Sequence, residues 1–250
     1  FTDIKDRVYD VFPLGVVAAS AFTDAYLWCN DNIEPEKPED LSCEVLEDLV
    51  GKKIVFRNGW NNNSTYLLLN YQSEGDGGFI SKYYLRNTIC VEEEKMHHGH
   101  SDENSIIFLM SGNSLLLHDG GYRSGLPSGQ WGAYRADYFH NRMIARKYKM
   151  DPTQSLYEFV RNSGAYRNIA SKKIDFVILN NVDISRTRII DEKTGFSNDR
   201  VIAYFKKHDF FVVIDINKAL QDDYLTYANI WHTQTILTKG ENYFDTRINK

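Results

Sequence analysis

Cysteine is scarce: Cys29, Cys43 and Cys90 are the three in 250 residues. Their odd number and wide spacing exclude a disulfide framework and a zinc–cysteine cluster, and allow one disulfide at most. Nowhere do about 18 apolar residues run together, so no segment reads as a membrane-spanning helix. The opening Phe1-Thr2-Asp3-Ile4-Lys5 has neither the basic start nor the apolar stretch of a secretory signal. Positive charge is not in excess either. Against 29 Lys and Arg stand 34 Asp and Glu, giving net −5 and a pI near 5.8. With no basic stripe, there is no reason to expect a nucleic-acid partner. Internal repeats and low-complexity tracts are also missing.

What is present is an ordinary folded composition, 42% hydrophobic and 25% charged, with an unusual 14% of aromatics. Aromatic residues favour strands and also stack on sugar rings. Residues 4–29 are predicted to be helical. Ile4, Val8, Val11 and Phe12 recur at helical spacing, and after Pro13 the small residues Ala18, Ala19, Ala21 and Ala25 suit close helix packing. Residues 31–42 hold two of the five prolines and many charges, as a linker does.

Beyond the linker the pattern changes to short apolar runs bounded by Gly, Asn or Asp, which predict strands. These are Ile54–Phe56, Thr65–Leu69, Ile106–Met110, Leu115–Leu117, Phe176–Leu179, Val182–Ile190, Val201–Phe205 and Phe210–Ile214. One helix is predicted from Asp151, where an N-cap, Pro152 at the first helical position and Gln154 at the third precede an apolar face. No helical pattern alternates regularly with the strands, which argues against a parallel α/β sheet. Runs apolar on both faces predict strands covered on both sides, between two sheets.

Five of the seven histidines lie between positions 97 and 140, among Asp102, Asp119 and Asp137. In an extended segment residues i and i+2 point the same way, so His98 and His100 can serve one site. A short hairpin would bring Asp119 beside His100, and His140 would close the triangle. Imidazoles plus a carboxylate with an open position suit zinc better than magnesium. The plainer alternative is a set of surface or hydrogen-bonded core histidines.

The stretch from Met96 to Arg142 carries three ordered motifs: His98-Gly99-His100-Ser101-Asp102, Asp119-Gly120-Gly121-Tyr122 and His140-Asn141. Arg57, Trp60 and the run Tyr66–Leu69 precede them. In this order they resemble the C-terminal β-sandwich domain of the heparinase II/III-like polysaccharide lyases. That resemblance implies a mainly β fold, a large antiparallel β-sandwich or super-sandwich. Residues 1–30 would be the last helices of an α/α toroid whose remainder lies upstream, and residues 43–250 the sandwich.

The resemblance further implies Zn²⁺ on His100, Asp119 and His140, with a structural or site-organising role. His98 would be the active-site histidine and Asp102 a supporting partner. Tyr122 and Tyr134 are candidates for a sandwich-side catalytic tyrosine. Tyr122 stands one place early against the family pattern, and the main catalytic tyrosine belongs to the toroid. Arg123, Arg135 and Trp131 would meet the acidic polysaccharide, such as heparan sulfate or alginate. The loop from Ser124 to Gly132, with three glycines and a proline, would be a mobile flap over the cleft. For Arg57, Trp60 and Trp231 a structural place is the expectation, and His232 is expected to be a sheet residue.

The implied activity is β-elimination at a uronic acid, in the periplasm or outside the cell, with the isolated chain inactive or weakly active. Two other functions fit the same residues. One is a non-catalytic carbohydrate-binding sandwich with structural zinc, and the other is a zinc-dependent hydrolase.

Overall fold

The computed structural model describes residues 46–48, 52–71, 101–119, 136–147, 169–233 and 235–247, all within one compact unit, Glu39–Lys250. The expected helices of residues 1–30, the linker, loop 124–132 and the helix from Asp151 lie outside them. Among the described residues no helix is long and apolar enough to cross a membrane.

The protein is mainly β, and every strand pairing among the described residues is antiparallel. Five strands form the first sheet in sequence order: β1 (Leu46–Asp48), β2 (Lys53–Arg57), β3 (Tyr66–Asn70), β4 (Ser105–Ser111) and β5 (Ser114–His118). The β4–β5 hairpin turns on Gly112 (φ 56°) and Asn113 (φ 61°). Two successive left-handed residues make the type I′ turn whose twist matches its strands, and Gly and Asn tolerate it best.

The second sheet is a four-stranded meander in the order β10-β9-β8-β7. Its strands are β7 (Ala170–Ile178), β8 (Val182–Asp191), β9 (Phe196–Phe205) and β10 (Phe210–Ala219). Two further pairs complete the described fold. β6 (Met143–Lys147) pairs β11 (Leu225–Asn229), and β12 (Thr235–Lys239) pairs β13 (Phe244–Arg247).

The two larger sheets face each other across a common core. Ile54, Phe56, Leu67, Leu69 and Ile106 of the first pack against Ile202 and Tyr204 of the second. Phe56 meets Tyr204 and Phe211 edge-on, and Tyr204 stacks on Phe211 with centroids 4.3 Å apart. Each fully buried apolar side chain contributes about 1.5–3 kcal/mol. A second cluster joins Ile189 and Phe196 of the meander to Ala145 of β6, with Leu225 and Tyr227 of β11 packed on it.

Between these apolar clusters the inner face of the meander is polar. Asp183, Ser185 and Thr187 of β8 and Asn198 and Arg200 of β9 are all buried. The strand runs are accordingly not covered on both sides as expected. Phe108 and Met110 of β4 are exposed, as are Phe210, Val212, Ile214 and Ile216 of β10.

Candidate functional site

β5 ends at His118, and the next residue, Asp119, stays tied to the sheet by its backbone N–H, which donates to Ile107 O at 3.0 Å. A single 3-10 turn, Asp137–Phe139, leads into His140, whose backbone is extended. That turn is fixed to β6 by a buried two-pronged ion pair. Arg146 Nη1 donates to Asp137 Oδ2 at 2.7 Å and Nη2 to Oδ1 at 2.6 Å. Asp137 is therefore committed to Arg146, while Asp119 faces the imidazole: His140 Nδ1 and Asp119 Oδ1 are hydrogen-bonded.

His140 is buried and Asp119 nearly so. Burial disfavours the imidazolium, but the charge and hydrogen bond of Asp119 outweigh it. Asp102 adds to them and Arg142 opposes, so the His140 pKa lies above its ordinary value. Ser105 Oγ donates to the other Asp119 oxygen at 3.4 Å. Nearby, His232 Nε2 donates to Tyr138 O at 2.9 Å. Burial holds its pKa below the ordinary value, His140 and His118 add to that, and Tyr138 O and Asp119 oppose it.

Asn141 locks this corner together. Its Nδ2 donates to Ile106 O at 2.8 Å and to His118 O at 2.9 Å, and its Oδ1 accepts from His232 N at 2.6 Å. Next to it, Arg142 Nη1 donates to Ser101 O at 2.7 Å and to Glu103 Oε2 at 2.8 Å, with both side chains buried. Ser101 and Glu103 are thereby tied to the residue two places after His140. Arg200 adds a third brace, donating from Nη1 to Asn104 O at 2.8 Å and to Asn141 O at 2.7 Å.

Asp119 and His140, two of the three expected zinc ligands, thus meet at one buried point. An imidazole nitrogen and a carboxylate oxygen are donor types that zinc takes, so this pair fits the metal in kind. Among the described residues no group of three or more potential ligands forms. The remaining candidates, His98, His100, Tyr122, Arg123, Trp131, Tyr134 and Arg135, lie outside the described residues.

His232 is not in a strand; it sits in the segment after β11, against Tyr138 and Asn141. Nothing in its sequence neighbourhood signals that position. Trp231 packs partly buried on the core, with the Arg200 guanidinium 5.6 Å from its ring centroid. Trp60, expected to be structural, is instead 40% exposed.

No family model matches the chain, and no curated protein matches it. Among solved structures it is similar to the crystal structure of heparinase III, with 17% identity and a TM-score of 0.49. The match covers 74% of this chain and 23% of that one, so the chain spans under a quarter of that protein's length.

Proposed function

We propose that this chain is the β-sandwich portion of a polysaccharide lyase that cleaves an acidic polysaccharide at a uronic acid. The observation that carries the reading is the meeting of Asp119 with His140. The two belong to separate motifs 21 residues apart, and the motif order had grouped them. A periplasmic or secreted location belongs to the same proposal.

In the proposed reaction a base removes the proton on C5, next to the uronate carboxylate. The electron pair forms the C4–C5 double bond, the C4–oxygen bond breaks, and the departing oxygen takes up a proton. His98 is assigned to this exchange, since an imidazole titrating near neutrality can hold or give up a proton. Tyr122 or Tyr134 is the assisting hydroxyl. Arg123 and Arg135 are assigned to binding the anionic chain, and Trp131 to stacking on a sugar ring.

Zn²⁺ would be held by His100, Asp119 and His140, where its charge would keep the imidazoles neutral and hold the histidine loop in place. Arg142 fixes the backbone at Ser101, and Arg200 that of Asn104 and Asn141, next to His140.

The test is metal analysis of the purified chain together with an assay of a longer chain that includes the upstream residues. About one zinc per chain and an ultraviolet-absorbing product, as a C4–C5 unsaturated uronate is, are expected. Zinc without such a product from any polyuronate would favour the carbohydrate-binding alternative. Absence of zinc would remove the basis of the reading.

A further inference from the structure

At the far end of the first sheet from Asp119, the loop between β2 and β3 and the β4–β5 turn enclose an open hollow of about 270 Å³. Asp119 lies level with Ser105 and Ile107 of β4, whereas the hollow begins at Met110, which pairs with Tyr66. At the rise of a strand the two places are roughly 10–16 Å apart.

Arg57, Trp60, Asn61, Tyr66, Met110 and Asn113 line the hollow. The Arg57 guanidinium lies 3.6 Å from the Trp60 ring centroid and steadies the ring from one side, yet Trp60 stays 40% exposed. Cation–π stacking at such a distance contributes about 0.5–2 kcal/mol and holds the indole in one orientation.

The loop itself is built to stay in place. Asn58 Oδ1 accepts from Thr65 N at 2.8 Å, and Ser64 N donates to Asn61 O at 2.9 Å. From the β9–β10 turn, Asp209 accepts from Asn58 Nδ2 at 3.2 Å, Thr65 Oγ1 at 2.8 Å and Tyr204 Oη at 2.7 Å. A loop braced from the opposite sheet loses little freedom when it binds, which favours affinity.

We infer that this hollow is a saccharide-binding subsite, separate from the Asp119–His140 corner, that takes a uronate-bearing sugar. Trp60 supplies an apolar platform for the C–H face of a sugar ring. Asn113 and the Asn61 Nδ2 are polar groups for sugar hydroxyls, the Asn61 oxygen already accepting from Asn63 N, and Arg57, itself buried, places a positive charge beside the ring for a carboxylate. Exposed Met110 and Phe108 continue along β4 from the hollow towards the Asp119 end, so a longer chain has an apolar track to follow. The sugar class rests on the lyase reading, while the hollow and its platform do not.

The experiment is isothermal titration of the 250-residue chain with alginate and heparin tetrasaccharides, with cellotetraose as the neutral control, and with zinc content measured on the same samples. Trp60→Ala is expected to weaken binding of an acidic tetrasaccharide at least tenfold without changing zinc content. Trp60→Phe, which keeps a ring, is expected to stay within about threefold of the parent. Equal binding by Trp60→Ala, cellotetraose binding as tightly as the acidic sugars, or no binding by the parent would each overturn the inference. Zinc content separates the two ideas. Zinc present with Trp60-independent binding defeats the subsite and spares the lyase reading, whereas Trp60-dependent binding by a zinc-free chain does the reverse.

Discussion

Arg200 of β9 and Asn141, 59 residues apart, are joined by a 2.7 Å hydrogen bond from the guanidinium to the backbone carbonyl. The same guanidinium grips Asp215 with two bonds of 2.9 Å and reaches Asn229 Oδ1 at 3.2 Å. Arg200 is fully buried, so its charge is tolerable only because every direction it points in holds an acceptor. Through it the meander sheet holds the corner in which Asp119 and His140 meet.

Arg200→Met should therefore cost about 3–5 kcal/mol, the usual cost of breaking a buried pair, since it leaves Asp215 with the Asn198 and Asn229 amides but no opposite charge. Arg200→Lys keeps the charge and loses the two-pronged geometry, so it should cost less but still more than about 1 kcal/mol. Urea unfolding of the 250-residue chain measures both. A loss below about 1 kcal/mol in the methionine variant would show that the brace is not structural.

For the zinc site, Asp119→Ala is expected to weaken zinc binding more than a hundredfold, because it removes a ligand. A loss of only about 10–100-fold is what removing a residue that merely orients a metal-bound histidine costs. That smaller result would reassign Asp119 to holding His140 rather than the metal. Competition with a chromogenic chelator reads the difference directly.

Asp199 gives a pH prediction. Its carboxylate lies between Arg188, which donates from Nη2 at 2.7 Å, and Arg186, which donates from Nε at 2.8 Å. The hydrogen bond from Arg188 is the largest influence, burial opposes it, and Arg186 adds to it, so the pKa falls below the usual carboxylate value. A carboxylate with a lower pKa in the folded than in the unfolded chain stabilises the fold fully above the unfolded value of about 3.9. That contribution fades as pH falls through the folded value. Asp199→Asn should therefore be about 1–2 kcal/mol less stable than the parent at pH 7, discounted because both arginines are partly exposed. The gap should begin to narrow as pH falls below about 4 and close only below the folded value. Unfolding curves at pH 7 and pH 3 that show the same gap would refute this.

Much of the β architecture was legible locally. The Gly112-Asn113 turn between two apolar runs specifies a hairpin, because those two residues tolerate the backbone that a tight hairpin demands. The eight predicted strands correspond to β2–β5 and β7–β10. The strands β1, β6 and β11–β13 carry no such local signal. Met143-Ile144-Ala145-Arg146-Lys147 of β6, for example, shows no alternation, because Arg146 is turned inward to hold Asp137.

The sequence by itself determined the strand-rich class and grouped Asp119 with His140, since turn chemistry and motif order are local properties. Tertiary structure decided which face of each strand is inside. Alternation in β8 would bury Val182 and Ile184, yet the inward residues are Asp183, Ser185 and Thr187. Asp183 is matched by Lys206 Nζ at 2.9 Å, a partner no local pattern reveals. Tertiary structure likewise turned Trp60 outward over Arg57 and spent the buried charges of Arg142 and Arg200 on bracing the site. A buried polar group is stable only where distant residues satisfy it, and which residues arrive there is decided by the packing of the two sheets.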